Sequence, residues 1–161
     1  MIKLIAEEKF NCSLEKVVSS LMELDKIYSL YCPEEHIKCK FIKGNPLAEG
    51  SILYFEELIA GKKQIMKYKV YKITDRTREK IVIFEAMFPR SLLNIRAVLN
   101  VKEFENGVKF TRTITVGKEN SIIGTIIDRL FFILLGKDYY TAMIEHNKED
   151  LEKLKCYIEK N

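Results

Sequence analysis

Residues 137–160 read KDYYTAMIEHNKEDLEKLKCYIEK and form the clearest helical pattern in the sequence. At about 100° per residue, one narrow face of this helix collects Tyr139, Met143, Asp150, Leu154 and Tyr157. His146 lies at the edge of that face, four residues before Asp150, so the two side chains lie one above the other. The stripe therefore predicts a helix packed on a core, with a polar site built into its apolar face.

The apolar segment 122–135, IIGTIIDRLFFILL, precedes this helix and is joined to it by Gly136. It is shorter than the roughly 20 residues of a membrane span, and Asp128 and Arg129 interrupt it. We expect a helix packed against the sheet, with a kink or break at Gly136, because glycine costs ~1 kcal/mol relative to alanine in a helix. The alternative is a lipid-facing or oligomer-forming surface, with Phe131 and Phe132 as the contact residues.

The rest of the chain has mainly strand character. Ser13 can cap a short helix over 14–21, and a second short helix is predicted over 24–30. Turn signals separate seven predicted strands: 2–11, 36–42, 51–60, 63–74, 79–88, 94–104 and 108–116. This order predicts one α+β domain over 1–161, with an antiparallel sheet of six to seven strands curved around the last helix and a cavity between them.

Composition excludes several classes of protein. A chain of 161 residues with 47% hydrophobic and 31% charged residues is typical of a single soluble globular domain. The net charge of +4 includes no Lys/Arg block with interleaved aromatics, so nucleic-acid binding is not predicted. The four cysteines lack Cys-x-x-Cys spacing and no secretory leader is visible, which favours reduced thiols in a cytoplasmic protein.

The only histidines, His36 and His146, are the first candidates for chemistry. A further candidate follows from the hairpin 51–74, where a two-residue turn points Glu57 inward with the aromatic side chains and Glu56 outward towards lysines. A loop longer or shorter by one residue would exchange the two glutamates. Asp150 on the apolar stripe needs a cation or a donor beside it, because burying an unpaired carboxylate is costly.

Arg112 lies on the apolar face of the last predicted strand, by strict alternation with its polar neighbours. One interpretation is an ion pair with an inward carboxylate such as Glu57 or Glu85. The other is a clamp for an anionic or phenolate oxygen of a ligand. Tyr68, which alternation also points inward, is a second candidate for orienting such an oxygen.

Together His36, Glu57, His146 and Asp150 form a set of two histidines and two carboxylates from three distant parts of the chain. Such a set suits Zn²⁺, with Mn²⁺ and Fe²⁺ as alternatives, and an open position could hold water. We therefore predict that the four side chains converge on one metal site inside the cavity.

The order of elements resembles the helix-grip fold of the START/Bet v1-like (SRPBCC) superfamily over essentially the whole chain. That resemblance implies an apolar or aromatic ligand held between sheet and helix. The residues expected to line its cavity are Phe55, Met66, Tyr68, Phe84, Leu99, Phe110, Arg112, Tyr139 and Met143.

At the candidate ligands the sequence is similar to one branch of that superfamily, the diacetylphloroglucinol and phloretin hydrolases. The similar segments are Pro33-Glu34-Glu35-His36, Gly50-Ser51…Phe55-Glu56-Glu57 and His146-Asn147-Lys148-Glu149-Asp150. The resemblance implies zinc at these residues and cleavage of a carbon–carbon bond between an acyl group and a phenolic ring. The chain departs from the family in Asp150, which replaces a glutamate, and in being shorter.

Two functions remain open from the sequence. One is a metal-dependent hydrolase of a small acylated phenol or polyketide-like compound. The other is a binding or transport module for a lipid or other hydrophobic small molecule, without chemistry. An interaction protein that uses Phe131 and Phe132 is a third alternative, and the oligomeric state is undetermined.

Overall fold

The computed structural model describes the backbone of residues 1–117 and 122–161, and the side chains of these residues except 122–135 and 137. The helices are α1 (Leu14–Met22), α2 (Leu24–Tyr31) and α3 (Ile122–Lys160). The strands are β1 (Ile2–Phe10), β2 (His36–Lys43), β3 (Ile52–Ile59), β4 (Lys62–Arg76), β5 (Glu79–Ala86), β6 (Arg96–Phe104) and β7 (Gly107–Val116).

All seven strands form one antiparallel sheet in the order β1-β7-β6-β5-β4-β3-β2. Strands β2 to β7 follow one another as a meander, and β1 closes against β7 with Ile2 opposite Val116. Register shifts in β2 and in β4, the latter between Val70 and Lys72, mark irregularities of the kind that bend a sheet. The α+β helix-grip architecture predicted from the sequence is therefore confirmed.

The core lies where the carboxyl-terminal part of α3 crosses the sheet. Leu151, Leu154 and Ile158 are at most 4% exposed and pack in one cluster with Phe10 and Phe110. Of these three, only Leu154 belongs to the predicted stripe, and Leu151 and Ile158 lie beside it, so the buried face of the helix is displaced towards them. This packing holds the polar residues of the same face against the sheet.

Local signals in the sequence correspond to the observed ends of elements. Ser13 caps α1, where its side-chain oxygen accepts from the backbone N–H of Lys16 at 3.2 Å. Gly136 has φ 81° and ψ 159°, and it kinks α3 as expected. This backbone conformation is open to glycine and strained for other residues, so the helix changes direction at this point.

Three details differ from the predictions. β4 extends to Arg76, beyond the predicted end at 74, because β5 continues to pair with it. The β6–β7 turn contains only Glu105 and Asn106, since Phe104 pairs with Gly107. A 3₁₀ turn at Arg90–Leu93, which the sequence analysis missed, connects β5 to β6.

No helix among the described residues is long and apolar enough to cross a bilayer. The predicted contact residues of segment 122–135, including Phe131 and Phe132, lie outside the described side chains. The lipid-facing and oligomer-forming alternatives for this segment therefore stay predictions.

Candidate metal centre and ligand cavity

A cavity of about 630 Å³ lies between the sheet, α2 and the second half of α3. Most of its wall is apolar, and all nine residues predicted to line it are found there: Phe55, Met66, Tyr68, Phe84, Leu99, Phe110, Arg112, Tyr139 and Met143. Ionisable and amide side chains interrupt this wall in two places, one near His146 and one near Arg90. An apolar cavity with a few convergent polar groups is the usual form of a small-molecule site.

His36 begins β2 and is 2% exposed. Its ring stacks on Tyr28 with centroids 3.9 Å apart, and its Nδ1 lies 3.0 Å from the Tyr28 carbonyl oxygen. Because a carbonyl only accepts, Nδ1 carries the proton and Nε2 is left with a lone pair in the neutral ring. A histidine bound at Nδ1 to a backbone carbonyl is the arrangement typical of a metal ligand that binds through Nε2.

His146 on α3 repeats this arrangement. Its Nδ1 donates to Glu35 Oε2 at 3.2 Å, and its Nε2 lies 3.8 Å from Glu57 Oε2. Burial lowers the pKa of His146, but the nearby Glu57 carboxylate and the charges of Asp150 and Glu35 outweigh it and raise the pKa above 6.5. Both histidines thus present Nε2 to the same region, held there by an acceptor on the opposite nitrogen.

Glu57 on β3 is 9% exposed and lines the cavity. The hairpin register pairs it with Gln64, and the Tyr28 hydroxyl donates to its Oε2 at 2.6 Å. Burial, followed by the Glu57 charge, raises the pKa of Tyr28 far above 10, which keeps that donor protonated. Glu56 lies on the opposite face, where Lys63 Nζ contacts it at 2.8 Å.

One potential ligand atom from each of His36, Glu57 and His146 lies within 4.8 Å of the other two. Among the described residues this is the group with metal-ligand composition. His36 Nε2 and Asp150 Oδ1 are both buried and lie 3.0 Å apart. A His₂Glu set with the Asp150 carboxylate beside it has the donor composition of a site for a divalent cation such as zinc.

Asp150 is not part of this three-residue group. Its Oδ2 pairs with Arg112 Nη1, and Arg112 also donates to the Asn147 side chain from Nε and to the Asn147 carbonyl from Nη2, each at 2.6 Å. Burial raises the pKa of Asp150, but the Arg112 charge outweighs it and holds the pKa well below 3.8. The cation that Asp150 was expected to need is therefore Arg112.

The sequence suggested an ion pair between Arg112 and an inward carboxylate, and such a pair is found, but with Asp150 and not with Glu57 or Glu85. Glu57 accepts from Tyr28, and Glu85 forms an exposed pair with Arg96 at 2.5 Å. Strand alternation places Arg112 on the inner face correctly, but only the packing of α3 decides which helix residue lies opposite.

Tyr68 lines the cavity with its hydroxyl 3.7 Å from Met66 Sδ, a weak acceptor. Burial raises its pKa to about 12, so it stays a neutral donor at physiological pH. Such a hydroxyl can donate to an oxygen of a ligand.

Besides Glu35, which accepts from His146, and Lys62 at the cavity wall, four residues of the site were missed in the sequence. Tyr28 donates to the candidate metal ligand Glu57, and Asn147 accepts from Arg112. Gln64 and Arg90 form the second polar group in the cavity wall. The position of Gln64 opposite Glu57 could have been read from the hairpin register. The other three carry no local signal, because their contacts join elements distant in sequence.

Searches with protein-family models and with curated protein sequences found no match to this chain. Solved structures do match over nearly the whole length. A hypothetical protein from Helicobacter pylori matches with a TM-score of 0.70 at 15% identity. The match covers 97% of this chain and 87% of the Helicobacter pylori chain. Ara h 8.0201 has a TM-score of 0.66 at 12% identity, covering 99% of both chains.

The ginseng major latex-like protein 151 from Panax ginseng also matches, with a TM-score of 0.61, 17% identity, and coverage of 90% of this chain and 96% of its own. At such low identity these likenesses show the fold alone. The chain has the Bet v1-like helix-grip fold.

Proposed function

We propose that this protein is a divalent-metal-dependent hydrolase of a small acylated phenol or related polyketide bound in the apolar cavity. The observation that carries the proposal is the convergence of His36, Glu57 and His146 within 4.8 Å at the cavity. Three protein ligands with an open fourth position are the usual composition of a catalytic zinc site. The similarity of the same segments to diacetylphloroglucinol and phloretin hydrolases supports zinc as the cation, with Mn²⁺ or Fe²⁺ as alternatives.

A bound divalent cation supplies Lewis acidity towards an acyl carbonyl and lowers the pKa of water. The chain's own residues supply the geometry. Tyr28 and Glu35 fix the orientation of Glu57 and His146, and the Tyr28 carbonyl fixes His36. Asp150, held by Arg112, has its Oδ1 3.0 Å from His36 Nε2, so it would lie on the same side of His36 as the cation and add negative charge there.

The cavity residues hold the substrate. Aromatic and aliphatic side chains such as Phe55 and Phe84 exclude water and contact the phenolic ring. The Tyr68 hydroxyl donates to a phenolic oxygen. Arg112 uses three of its five N–H groups within the protein, so its first role is to neutralise Asp150.

Metal analysis of protein purified without chelator or histidine tag tests the proposal. We expect about one zinc per chain in wild type and loss of zinc in Glu57→Gln. Glu56→Gln is the matched control, because Glu56 is the sequence neighbour that points away from the cavity. Wild type loaded with zinc should release free acid from a panel of acylated phenols. Equal zinc binding by both variants, or no zinc in wild type, would contradict the proposal.

The second candidate is a carrier for a hydrophobic small molecule, which the mainly apolar wall favours. A protein that binds apolar ligands without zinc, and turns over none of the panel, would be that carrier.

A further inference from the structure

Two arginines line the cavity, and their surroundings differ. Arg112 belongs to a group with Asn147 and Asp150, here called the acid-paired cluster. Arg90 belongs to a group with Lys62, Gln64 and Tyr139, here called the acid-free cluster. The difference lies in what neutralises each guanidinium.

Arg90 lies in the 3₁₀ turn after β5 and is half-buried at the cavity wall. Its Nη2 donates to Gln64 Oε1 at 2.6 Å, which holds the guanidinium beside the hairpin of β3 and β4. Lys62 follows the turn of that hairpin, with its Nζ 5.4 Å from the centroid of the Tyr139 ring. These side chains bring two cations and a phenolic hydroxyl to one part of the wall.

Among the described side chains, no carboxylate forms an ion pair with Arg90 or Lys62. The Gln64 amide oxygen accepts one N–H of Arg90. Because the amide is neutral, the positive charge of the guanidinium is not neutralised. A guanidinium beside an apolar cavity is stabilised most by a planar anionic group that accepts two N–H bonds. An acid on the ligand could supply that group.

We propose that Arg90, assisted by Lys62 and Tyr139, binds an anionic group of the cavity ligand, a carboxylate or a phosphate, while the apolar body fills the cavity. This assigns the ligand to the anionic amphiphiles. The inference rests on the proposed function in one respect, that a ligand enters this cavity. Because Gln64 lies opposite Glu57 in the sheet, the acid group binds next to the candidate metal centre, and the hydrolase substrate is an acylated phenol with an acidic substituent.

A pair of fluorescent probes that differ in charge tests the assignment. 8-Anilinonaphthalene-1-sulfonate is an anion, and N-phenyl-1-naphthylamine is its neutral counterpart without the sulfonate. Arg90→Met should weaken binding of the anion about tenfold, as expected for loss of a charge-assisted contact, and change binding of the neutral probe less than twofold. Arg90→Lys should restore part of the affinity for the anion.

Arg96→Met is the matched control, because Arg96 is exposed and pairs with Glu85. It should leave both affinities unchanged. Displacement of the neutral probe by dodecanoate, dodecyl phosphate and dodecanol shows whether the site prefers a carboxylate or a phosphate, with the uncharged alcohol as reference. We expect one of the two acids to displace it at concentrations about tenfold lower than the alcohol, and to lose this advantage in Arg90→Met.

The inference is overturned if Arg90→Met weakens both probes equally, if it weakens neither, or if wild type binds neither probe. Its failure is distinguishable from failure of the metal proposal, since Arg90 is not among the candidate ligands. If the protein binds zinc but does not prefer the anionic probe over the neutral one, only the proposed anion site is contradicted. If it prefers the anionic probe but binds no zinc, only the proposed hydrolase is contradicted.

Discussion

The acid-paired and acid-free clusters show two ways in which one cavity wall holds an arginine. In the first, Asp150 and Asn147 accept from Arg112, and both ions are largely withdrawn from solvent, with side chains 5% and 19% exposed. In the second, Arg90 is half-buried and bonded to the neutral side chain of Gln64. An inward arginine is therefore a candidate for ligand binding only when the protein does not already neutralise its charge. By that criterion Arg112 stabilises the fold and Arg90 binds the ligand.

The largest expected effect concerns stability. Arg112→Met leaves the buried Asp150 without its cation and should reduce the free energy of unfolding by about 3–5 kcal/mol. Arg90→Met removes a charge that has no described carboxylate partner and one hydrogen bond to Gln64, and it should reduce this free energy by about 0.5–1.5 kcal/mol. Urea unfolding of the two variants measures the difference. Similar losses in both would show that the two arginines are not distinguished as described.

The next largest effect should be the stabilisation of the folded protein by zinc. This stabilisation should depend on the candidate metal ligands beside the acid-paired cluster. At free zinc about 100 times its dissociation constant, wild type and Arg90→Met should each gain about 2.7 kcal/mol in the free energy of unfolding. Glu57→Gln should gain little, because it loses one of the three converging ligands. Thermal or urea unfolding with and without zinc provides the measurement, and a gain in Glu57→Gln equal to that of wild type would argue against this ligand set.

Gln64→Glu should abolish the contrast between the clusters by placing a carboxylate at the position where Gln64 accepts from Arg90. We expect the variant to bind 8-anilinonaphthalene-1-sulfonate about tenfold more weakly and the neutral probe as wild type does. The carboxylate introduced at position 64 then pairs with Arg90 in place of the anionic group of the ligand. Unchanged binding of the anion would mean that Arg90 does not contact it.

The smallest expected effect is a pH dependence in the metal-free protein. Because the folded state raises the pKa of His146, this residue adds stability that is fully present below about pH 6.5 and is lost as the pH rises through the raised pKa. His146→Gln should lack this contribution, so its free energy of unfolding should vary less with pH than that of wild type. Urea unfolding in chelator between pH 5.5 and 9 measures it, and Arg90→Met should follow the wild-type profile.

The fold could be predicted from the sequence because its signals are local and repeated. Ser13 and Gly136 mark helix ends and kinks by their own chemistry. The hairpin register followed from a two-residue turn, since the strand period of two assigns every side chain to a face once one pair is known. The inward positions of Glu57 and Arg112 follow from the same rule.

Pairings between distant elements could not be predicted in the same way. The sequence placed Asp150 on the helix stripe and Arg112 on the inner face of the last strand, but it proposed Glu57 or Glu85 as the partner of Arg112. The rotation and depth of α3 across the sheet bring Asp150 to that arginine. The 3₁₀ turn at Arg90–Leu93 likewise gives no periodic signal, so the half-buried position of Arg90 was not foreseen.

What the sequence determined by itself is which face each side chain takes, because helix and strand periods depend only on the backbone. It thereby determined the strands, the kinked last helix, nine residues of the cavity wall and the two candidate histidines. Which charged side chains form pairs follows from the packing of the whole core, because ion pairs join elements that are distant in sequence. For that reason Asp150 pairs with Arg112, while the charge of Arg90 remains without a described carboxylate partner beside the cavity.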